Sequence, residues 1–466
     1  MKRCLILMVT FLFCCISFAA FALEETPETV EEILPPYTYA YTLLDDGTVS
    51  LDGLEGEVPE KLTVPGEVEG LAVTKISEGF LRENAAVRSV ELPEGIVEIG
   101  PYAFQHSIVE RITLPDTLLV IAEGAFYGCE NLKQVTLPEG LEELAPYAFY
   151  CAGIQRTTLP KGVKVIGERA FAGCPNLTSL TMQEGLEEIG VDAFTSSGVK
   201  SASFPSTLKV IRENAYYNCE VLQNVTFNKG LEEVGAYAFS YSAVKGAKFY
   251  EGFRTLGEGA FSCCASLATV VLPEGLTEIP ADAFSETALQ KATIPHSVTV
   301  IGDGAFDGCK YMTSVRMSNQ VKVIGKDAFR ETAVSQVAFP STLKEIGQRA
   351  FYGCKKLTVA ELPEGLLSIG KQAFAEGNLR TLKVPSTVEK IGSKAFQVSY
   401  TSGGFNVTML CDQAELGSDL FGDDAIYAEA DGGDNNLKII LTCREGGAAD
   451  QKYQNEVAVR KKYMPK

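Results

Sequence analysis

Six cysteines recur along this chain at a constant spacing of 45 residues, and this spacing limits the possible folds more than any other feature. Repeats of one fixed length stack on each other, because a single repeat cannot bury its apolar face alone. The sequence therefore predicts a repeat solenoid and argues against an enzyme. These six residues, called the grid cysteines below, are Cys129, Cys174, Cys219, Cys264, Cys309 and Cys354.

An aromatic residue marks every coil of this predicted stack. From Phe104 to Phe396 the spacing alternates between 22 and 23 residues, so the 45-residue repeat consists of two unequal coils. Counting these residues predicts about 15 coils. The full set, called the ladder aromatics below, is Phe80, Phe104, Phe126, Phe149, Phe171, Phe194, Tyr216, Phe239, Phe261, Phe284, Phe306, Phe329, Phe351, Phe374 and Phe396.

One coil, residues 131–149, indicates the local structure. Apolar and polar residues alternate around Val135, as in a strand with one buried face. Pro138 lacks a backbone donor and ends that strand, and residues 141–144 form a second short extended segment. Residues 146–149 suit one helical turn that begins with proline. We therefore expect mostly short parallel β-strands joined by helical turns.

Size and charge restrict the partners. The chain has 466 residues, 46% of them apolar, and a formal net charge of −19. Nucleic acid is a poor partner for such a surface, since phosphate binding needs clustered Lys and Arg. The one basic run, residues 460–462, is interpreted as a solvated tail.

The N-terminal segment has the pattern of a secretory leader. Lys2 and Arg3 precede an almost wholly apolar stretch, and residues 20–22 offer a small-x-small cleavage pattern. We predict a signal peptide over residues 1–22 and no membrane insertion of the mature chain. The alternative is an uncleaved anchor, because residues 4–22 approach the roughly 20 needed to span a bilayer.

The run at residues 137–144, Leu-Pro-Glu-Gly-Leu-Glu-Glu-Leu, is followed by Ala148-Phe149 and has a variant at residues 339–354. This motif resembles the BspA-type leucine-rich repeats of secreted and surface proteins, over roughly residues 60–396. The resemblance implies a right-handed curved leucine-rich repeat stack, extracellular display, and adhesion to host or partner proteins. It brings no catalytic residues.

These observations divide the chain into four segments. We predict a signal peptide at 1–22, an N-terminal cap at 23–60 and the leucine-rich repeat solenoid at 61–396. Residues 397–466 lose the repeat spacing, and we interpret them as degenerate coils and a C-terminal cap.

Residues for catalysis or metal binding are scarce. His106 and His296, the only histidines, lie in turns far apart in sequence, so we expect no zinc site and no histidine-activated nucleophile. Acid pairs such as Glu142-Glu143 recur throughout, whereas a catalytic pair needs one unique cleft. The acidic cluster from Asp419 to Asp434 allows calcium binding, but we interpret it as a solvated loop. No cofactor or metal is predicted.

The grid cysteines lie two coils apart, about 9.6 Å by strand spacing. A disulfide needs Cα atoms within about 7 Å, so they are not expected to bridge one another. We expect buried thiols that behave as small apolar side chains. Pairing of Cys151 with Cys129 or Cys174, and of Cys411 with Cys443, stays open.

The position after the buried residue of each first strand defines a candidate binding stripe. Its first half is rich in hydroxyl groups and its second half is mixed and charged, and the stripe has no aromatic residue for stacking on a sugar. A protein partner is therefore favoured, although Thr is also simply a good exposed strand residue. The stripe contains Thr113, Thr136, Thr158, Thr181, Ser203, Thr226, Thr293, Arg316, Glu361 and Lys383.

The sequence thus predicts a secreted or surface-exposed module for adhesion or protein interaction, without catalysis, that binds partner or host proteins through the solenoid surface. The alternatives are a structural cell-surface scaffold without a specific ligand and, more remotely, a secreted hydrolase. Neither the ligand nor the oligomeric state can be read from the sequence.

Overall fold

The computed structural model describes residues 37–398, 404–422, 439–453 and 459–463. Their backbone is a parallel β-solenoid with little helix, which confirms the predicted fold class. The chain divides into two compact units, an N-terminal unit ending at Gln183 and a C-terminal unit beginning at Glu184. The predicted signal peptide lies outside the described residues, and the four predicted segments stay a prediction.

The N-terminal unit begins with an antiparallel hairpin of β1 and β2, and β4 also pairs antiparallel with β5. The other strand pairs in this unit are parallel, in the sheets β2-β5-β7-β9, β3-β6-β8, β10-β12 and β11-β13. The strands are β1 (Tyr37–Leu43), β2 (Val49–Gly56), β3 (Lys61–Thr63), β4 (Glu67–Val68), β5 (Leu71–Ile76), β6 (Ser89–Glu91), β7 (Glu98–Ile99), β8 (Arg111–Thr113), β9 (Val120–Ile121), β10 (Glu143–Leu144), β11 (Arg156–Thr158), β12 (Val165–Ile166) and β13 (Ser179–Thr181).

In the C-terminal unit each coil contributes up to two strands. The first strands are β15 (Ser201–Ser203), β17 (Asn224–Thr226), β19 (Gly246–Lys248), β21 (Thr269–Val271), β23 (Lys291–Thr293), β25 (Ser314–Arg316), β28 (Val359–Glu361), β30 (Thr381–Val384), β32 (Phe405–Met409), β34 (Ile439–Cys443) and β35 (Val459–Tyr463). The second strands are β14 (Glu188–Ile189), β16 (Val210–Ile211), β18 (Glu233–Val234), β20 (Thr255–Leu256), β22 (Glu278–Ile279), β24 (Val300–Ile301), β26 (Val323–Ile324), β27 (Glu345–Ile346), β29 (Ser368–Ile369), β31 (Lys390–Ile391) and β33 (Glu415–Leu416). The one described helix is α1 (Ala448–Lys452).

The ladder aromatics form stacks inside each unit. In the N-terminal unit the rings of Phe126 and Phe149 lie 5.1 Å apart and 3° from parallel. In the C-terminal unit Phe261 stacks on Phe239 at 5.2 Å and on Phe284 at 5.9 Å. Such offset stacks add to the apolar area that the rings bury, and they place the core along the axis of each unit.

The turn around each ladder aromatic differs from the helical turn that the sequence predicts. Near Phe239, the N–H groups of Ala238 and Ser240 close short turns within the coil, while those of Tyr237, Phe239 and Tyr241 donate to the next coil at 2.8 to 3.0 Å. A helix would direct every N–H to its own preceding turn. In this turn about half of the backbone N–H groups donate to a neighbouring coil instead.

Left-handed residues make this alternation possible. The residues two before and two after a ladder aromatic typically have positive φ, as at Tyr237 and Tyr241 around Phe239. A positive φ is unfavourable for residues other than glycine, so the hydrogen bonds between coils must compensate for it.

The recurring Pro-Glu-Gly corner, and its variant with Gln in place of Pro, holds the following coil. The carboxylate of Glu274 accepts the backbone N–H groups of His296 and Ser297, both at 2.9 Å. Glu184 accepts the N–H of Ser206 at 3.0 Å and its hydroxyl at 2.8 Å. These hydrogen bonds hold the pKa of both carboxyl groups below the ordinary value. The glutamates at these corners therefore have a structural role, because their carboxylates bind backbone N–H groups of the following coil.

The first strands pair mainly within one 45-residue repeat. In the N-terminal unit Thr157 of β11 lies opposite Leu180 of β13, and in the C-terminal unit Ala247 of β19 lies opposite Val270 of β21. A small buried residue thus faces a large one, as close packing requires. This matching favours a repeat of two coils in these parts of the chain.

Candidate functional site

All ten residues of the predicted stripe have exposed side chains. Nine are in first strands, next to a central residue that points into the core. Strand β13 is typical, because Leu180 at its centre is only 9% exposed while Ser179 and Thr181 on either side are exposed. Thr136 is the exception, in a segment outside the strands whose Gln134 forms single bridges to Arg111 and Arg156.

Pairing between strands brings some stripe residues side by side. In the N-terminal unit Thr158 lies directly opposite Thr181, whereas Thr113 faces Glu91. The stripe is therefore a set of adjacent pairs, and whether it binds anything stays a prediction. The pairs in the C-terminal unit are Ser203 with Thr226, Thr293 with Arg316, and Glu361 with Lys383.

Two paired hydroxyl groups of the stripe take no part in the hydrogen bonds of the described structure. Within the described parts of the chain, the side chains of Thr158 and Thr181 make no hydrogen bond to another residue. Exposed hydroxyl groups without an internal partner can donate to or accept from a docked surface. The geometry of these side chains suits contact with a partner.

Sequence reasoning missed a set of basic residues on the same face. In the C-terminal unit the residue before the first strand is Lys200, Lys245 or Arg380 in three of the coils, and all three are exposed. Because Lys200 and Lys245 are 45 residues apart, they form no run in the sequence. Reading the charges at the repeat spacing would have found them.

A second missed feature is a group of tyrosines on the turns of the N-terminal unit. Tyr127 and Tyr150 stack with ring centroids 4.7 Å apart. The hydroxyl of Tyr102 donates to Glu123 at 2.6 Å, which raises the tyrosine pKa to about 12. These rings occupy positions next to the ladder aromatics and not the stripe, so the stripe-based interpretation overlooked them.

The grid cysteines are buried, as predicted, but they are not merely apolar. The thiol of Cys309 donates to the carbonyl of Phe284 at 3.1 Å, and the hydroxyl of Thr287 lies 3.2 Å from the same sulfur. Burial raises the pKa of this thiol to about 11 and that of Cys264 to about 12. A thiol that stays protonated is a poor nucleophile, so the cysteine grid has a structural role.

The remaining sites considered in the sequence are the histidines, the acidic cluster and the open disulfide pairings. No described group of three or more His, Cys, Asp or Glu side chains is arranged to hold a metal ion. His106 is exposed in a turn, 5.4 Å from the ring of Tyr127. Of the acidic cluster, only Asp419 lies in a described part of the chain. Neither open disulfide pairing is present among the described cysteines.

No helix in the described ranges combines the length and the apolar character needed to cross a membrane. The possible anchor at residues 4–22 lies outside these ranges.

Comparison with known proteins identifies related sequences and folds. A family model for the BspA type leucine rich repeat region matches in six copies, over residues 74–200, 187–309 and 277–402. No curated protein matches the chain.

Solved structures with similar folds come from several bacteria. A leucine-rich repeat protein from Bacteroides ovatus is 22% identical, with a TM-score of 0.62 over 93% of this chain and 100% of that one. A leucine rich cell surface protein from Faecalibacterium prausnitzii is 21% identical, with a TM-score of 0.39 over 83% and 94% of the two chains. The similarity to the Bacteroides ovatus structure supports the solenoid fold, whereas the second similarity is too low to support it further.

Proposed function

Because the chain belongs to the BspA-type leucine-rich repeat family, we propose that it is a secreted or surface-exposed interaction module that binds partner or host proteins through its first-strand face, without catalysis. The family suggests a protein-interaction or surface module, and its solenoid fold is typically non-catalytic. Extracellular display is supported by the leader pattern at residues 1–22.

One observation carries the proposal. Thr158 and Thr181 are paired in register on β11 and β13, exposed, and without an internal hydrogen-bond partner in the described chain. Short β-branched side chains lose little conformational entropy when a partner covers them. Strand-borne residues are also held rigidly, so a partner can meet them without reorganising the module.

The test has two stages. First, the purified chain is screened for binding to extracellular-matrix and host-cell proteins. Second, Thr158→Lys combined with Thr181→Lys is measured against any partner found. The added bulk and the cost of desolvating two charges should weaken binding by about tenfold or more.

A matched control comes from the same unit. Glu142→Lys combined with Lys164→Glu changes two exposed side chains outside the stripe, and neither forms an ion pair within the described structure. Equal affinity of the Thr158/Thr181 variant and the unaltered chain, with both folded, would remove this pair from the binding site. A chain that binds no protein at all would favour the structural scaffold.

A further inference from the structure

We propose that the partner of the C-terminal unit is an acidic protein surface with apolar side chains among its carboxylates, bound on a basic patch made of Lys248, Val271, Lys291, Tyr311 and Arg316. This proposal rests on the proposed function and names the chemistry of the partner.

The charge of the first-strand face differs from that of the rest of the unit. Between residues 200 and 383 the sequence has 20 Lys or Arg and 18 Asp or Glu. The face consists of the residue before each first strand together with the first and third strand positions. It holds seven of those basic residues but only one acid, Glu361; the seven are Lys200, Lys245, Lys248, Lys291, Arg316, Arg380 and Lys383.

These seven basic side chains are exposed, and in the described structure none of them forms an ion pair. Some basic residues elsewhere in the unit do. Arg212 contacts Glu188 at 2.9 Å, and Arg330 contacts Asp307 at 2.7 Å. The strand face therefore concentrates uncompensated positive charge, which steers and selects an anionic partner.

Two exposed apolar side chains accompany these charges, and one of them, Val271, distinguishes between anionic partners. Val271, on the face itself, is 51% exposed, and Tyr311, three residues before β25, is 67% exposed. Val271 lies opposite Lys248, and Arg316 lies opposite the end of the strand that begins with Lys291. A sulfated or carboxylated glycan gains little from an exposed valine. An acidic protein surface can cover both the charges and the apolar groups.

The experiment uses the full chain and three defined polymers. They are a random copolymer of glutamate and tyrosine, poly-glutamate of equal length, and heparin. We expect the copolymer to bind most tightly and to weaken as salt screens the charges. The triple variant Lys248→Glu, Lys291→Glu, Arg316→Glu should reduce its affinity by about tenfold or more.

A second triple variant controls for net charge. Lys209→Glu, Arg254→Glu, Lys322→Glu makes the same change of charge at exposed positions outside the face, and it should bind nearly as well as the unaltered chain. Val271→Ser with Tyr311→Ser should remove the preference for the copolymer over poly-glutamate. Circular dichroism verifies that each variant is folded.

Three outcomes would overturn the proposal. The first is an equal loss of copolymer affinity in the two triple variants, and the second is tighter binding of heparin than of the copolymer. The third is an unchanged preference for the copolymer over poly-glutamate after the Val271 and Tyr311 substitutions. If matrix or host proteins still bind while the basic-patch variant is unaffected, only this inference fails. If the copolymer binds but no protein does, the proposed function fails instead.

Discussion

The thiol of Cys264 donates a hydrogen bond of 3.0 Å to the main-chain carbonyl of Phe239, the ladder aromatic of the preceding coil. The hydroxyl of Ser242, in that same preceding coil, lies 3.4 Å from the sulfur. The thiol-to-carbonyl bond recurs at all six grid cysteines, at 3.0 to 3.1 Å. The cysteine spacing thus reflects a hydrogen-bond position inside the solenoid.

The rate at which each cysteine is labelled in the folded protein should depend on its burial. The six grid cysteines should resist a thiol reagent in the folded protein and react after denaturation, because burial both blocks access and raises each thiol pKa. Cys151 and Cys263 are only half-buried and should react first. Mass spectrometry of the labelled peptides gives the order. Rapid native labelling of the grid cysteines, or their recovery as disulfides, would contradict this packing.

Alkaline pH should destabilise the solenoid. The Cys264 thiol has a pKa of about 12 when folded, against 9.0 as its ordinary value. Its stabilising contribution is complete below about pH 9 and is lost as the pH rises toward 12, since the unfolded chain ionises first. Each such thiol lowers the free energy of unfolding by at most about 1.4 kcal/mol per pH unit in this range.

Urea unfolding at a series of pH values from about 8 to about 11 measures this slope. Cys264→Ser keeps a hydrogen-bond donor that does not ionise in this range. It should make the free energy of unfolding less dependent on pH, by the contribution of one thiol. An unchanged slope in this variant would mean that other groups cause the alkaline loss.

Phe261→Ala should damage the C-terminal unit locally. The ring is fully buried between Phe239 and Phe284, so its loss should cost about 3 to 5 kcal/mol. Because coils contact mainly their neighbours, hydrogen exchange should rise most over residues 235–285. Val271→Ala, at an exposed position, is the control and should cost less than about 0.5 kcal/mol. Exchange that rises evenly along the chain would argue against a one-dimensional stack.

Two glycines with positive φ allow backbone strain to be separated from steric overlap. A Cβ on Gly259 would overlap the ring of Tyr237, whereas a Cβ on Gly252 would meet nothing within 4 Å. Gly259 has φ +57 and Gly252 has φ +103, so backbone strain alone would make Gly252→Ala the worse change. We expect the opposite order in thermal unfolding. A smaller loss for Gly259→Ala would show that the tyrosine ring moves aside.

The repeat spacing was enough to predict the solenoid, the aromatic ladder and the matching of small with large strand residues. Pairs such as Ala247 with Val270 follow from residue size and register alone. The left-handed turns could not be predicted in the same way. Positions such as Tyr237 and Arg169 have positive φ although their residue types do not favour it. Hydrogen bonds between coils determine this backbone, and the local sequence does not.

Side-chain direction limited the prediction of the site. The exposed position of the stripe could be predicted from the strand pattern, but the ion-pair partners of charged side chains could not. Glu187 and Lys209, for example, lie on adjacent coils and form no ion pair within the described chain. Arg212, three residues further, instead contacts Glu188 and Glu233. The ion-pair partner of a long flexible side chain depends on the length of that side chain as well as on the register of the strands. The unpaired lysines of the first-strand face were missed for a different reason, since residues 45 apart in sequence lie close only after folding.

The pairing of unlike coils also bears on how such a gene can change in length. Gly259 leaves room for the ring of Tyr237 from the preceding coil, and Ala247 leaves room for Val270 of the following one. Recombination that removes or duplicates a whole 45-residue repeat restores each of these fits at the new junction. Loss of a single coil would instead remove one partner from each of these fits. The 45-residue repeat is therefore the unit whose gain or loss preserves the packing of this region.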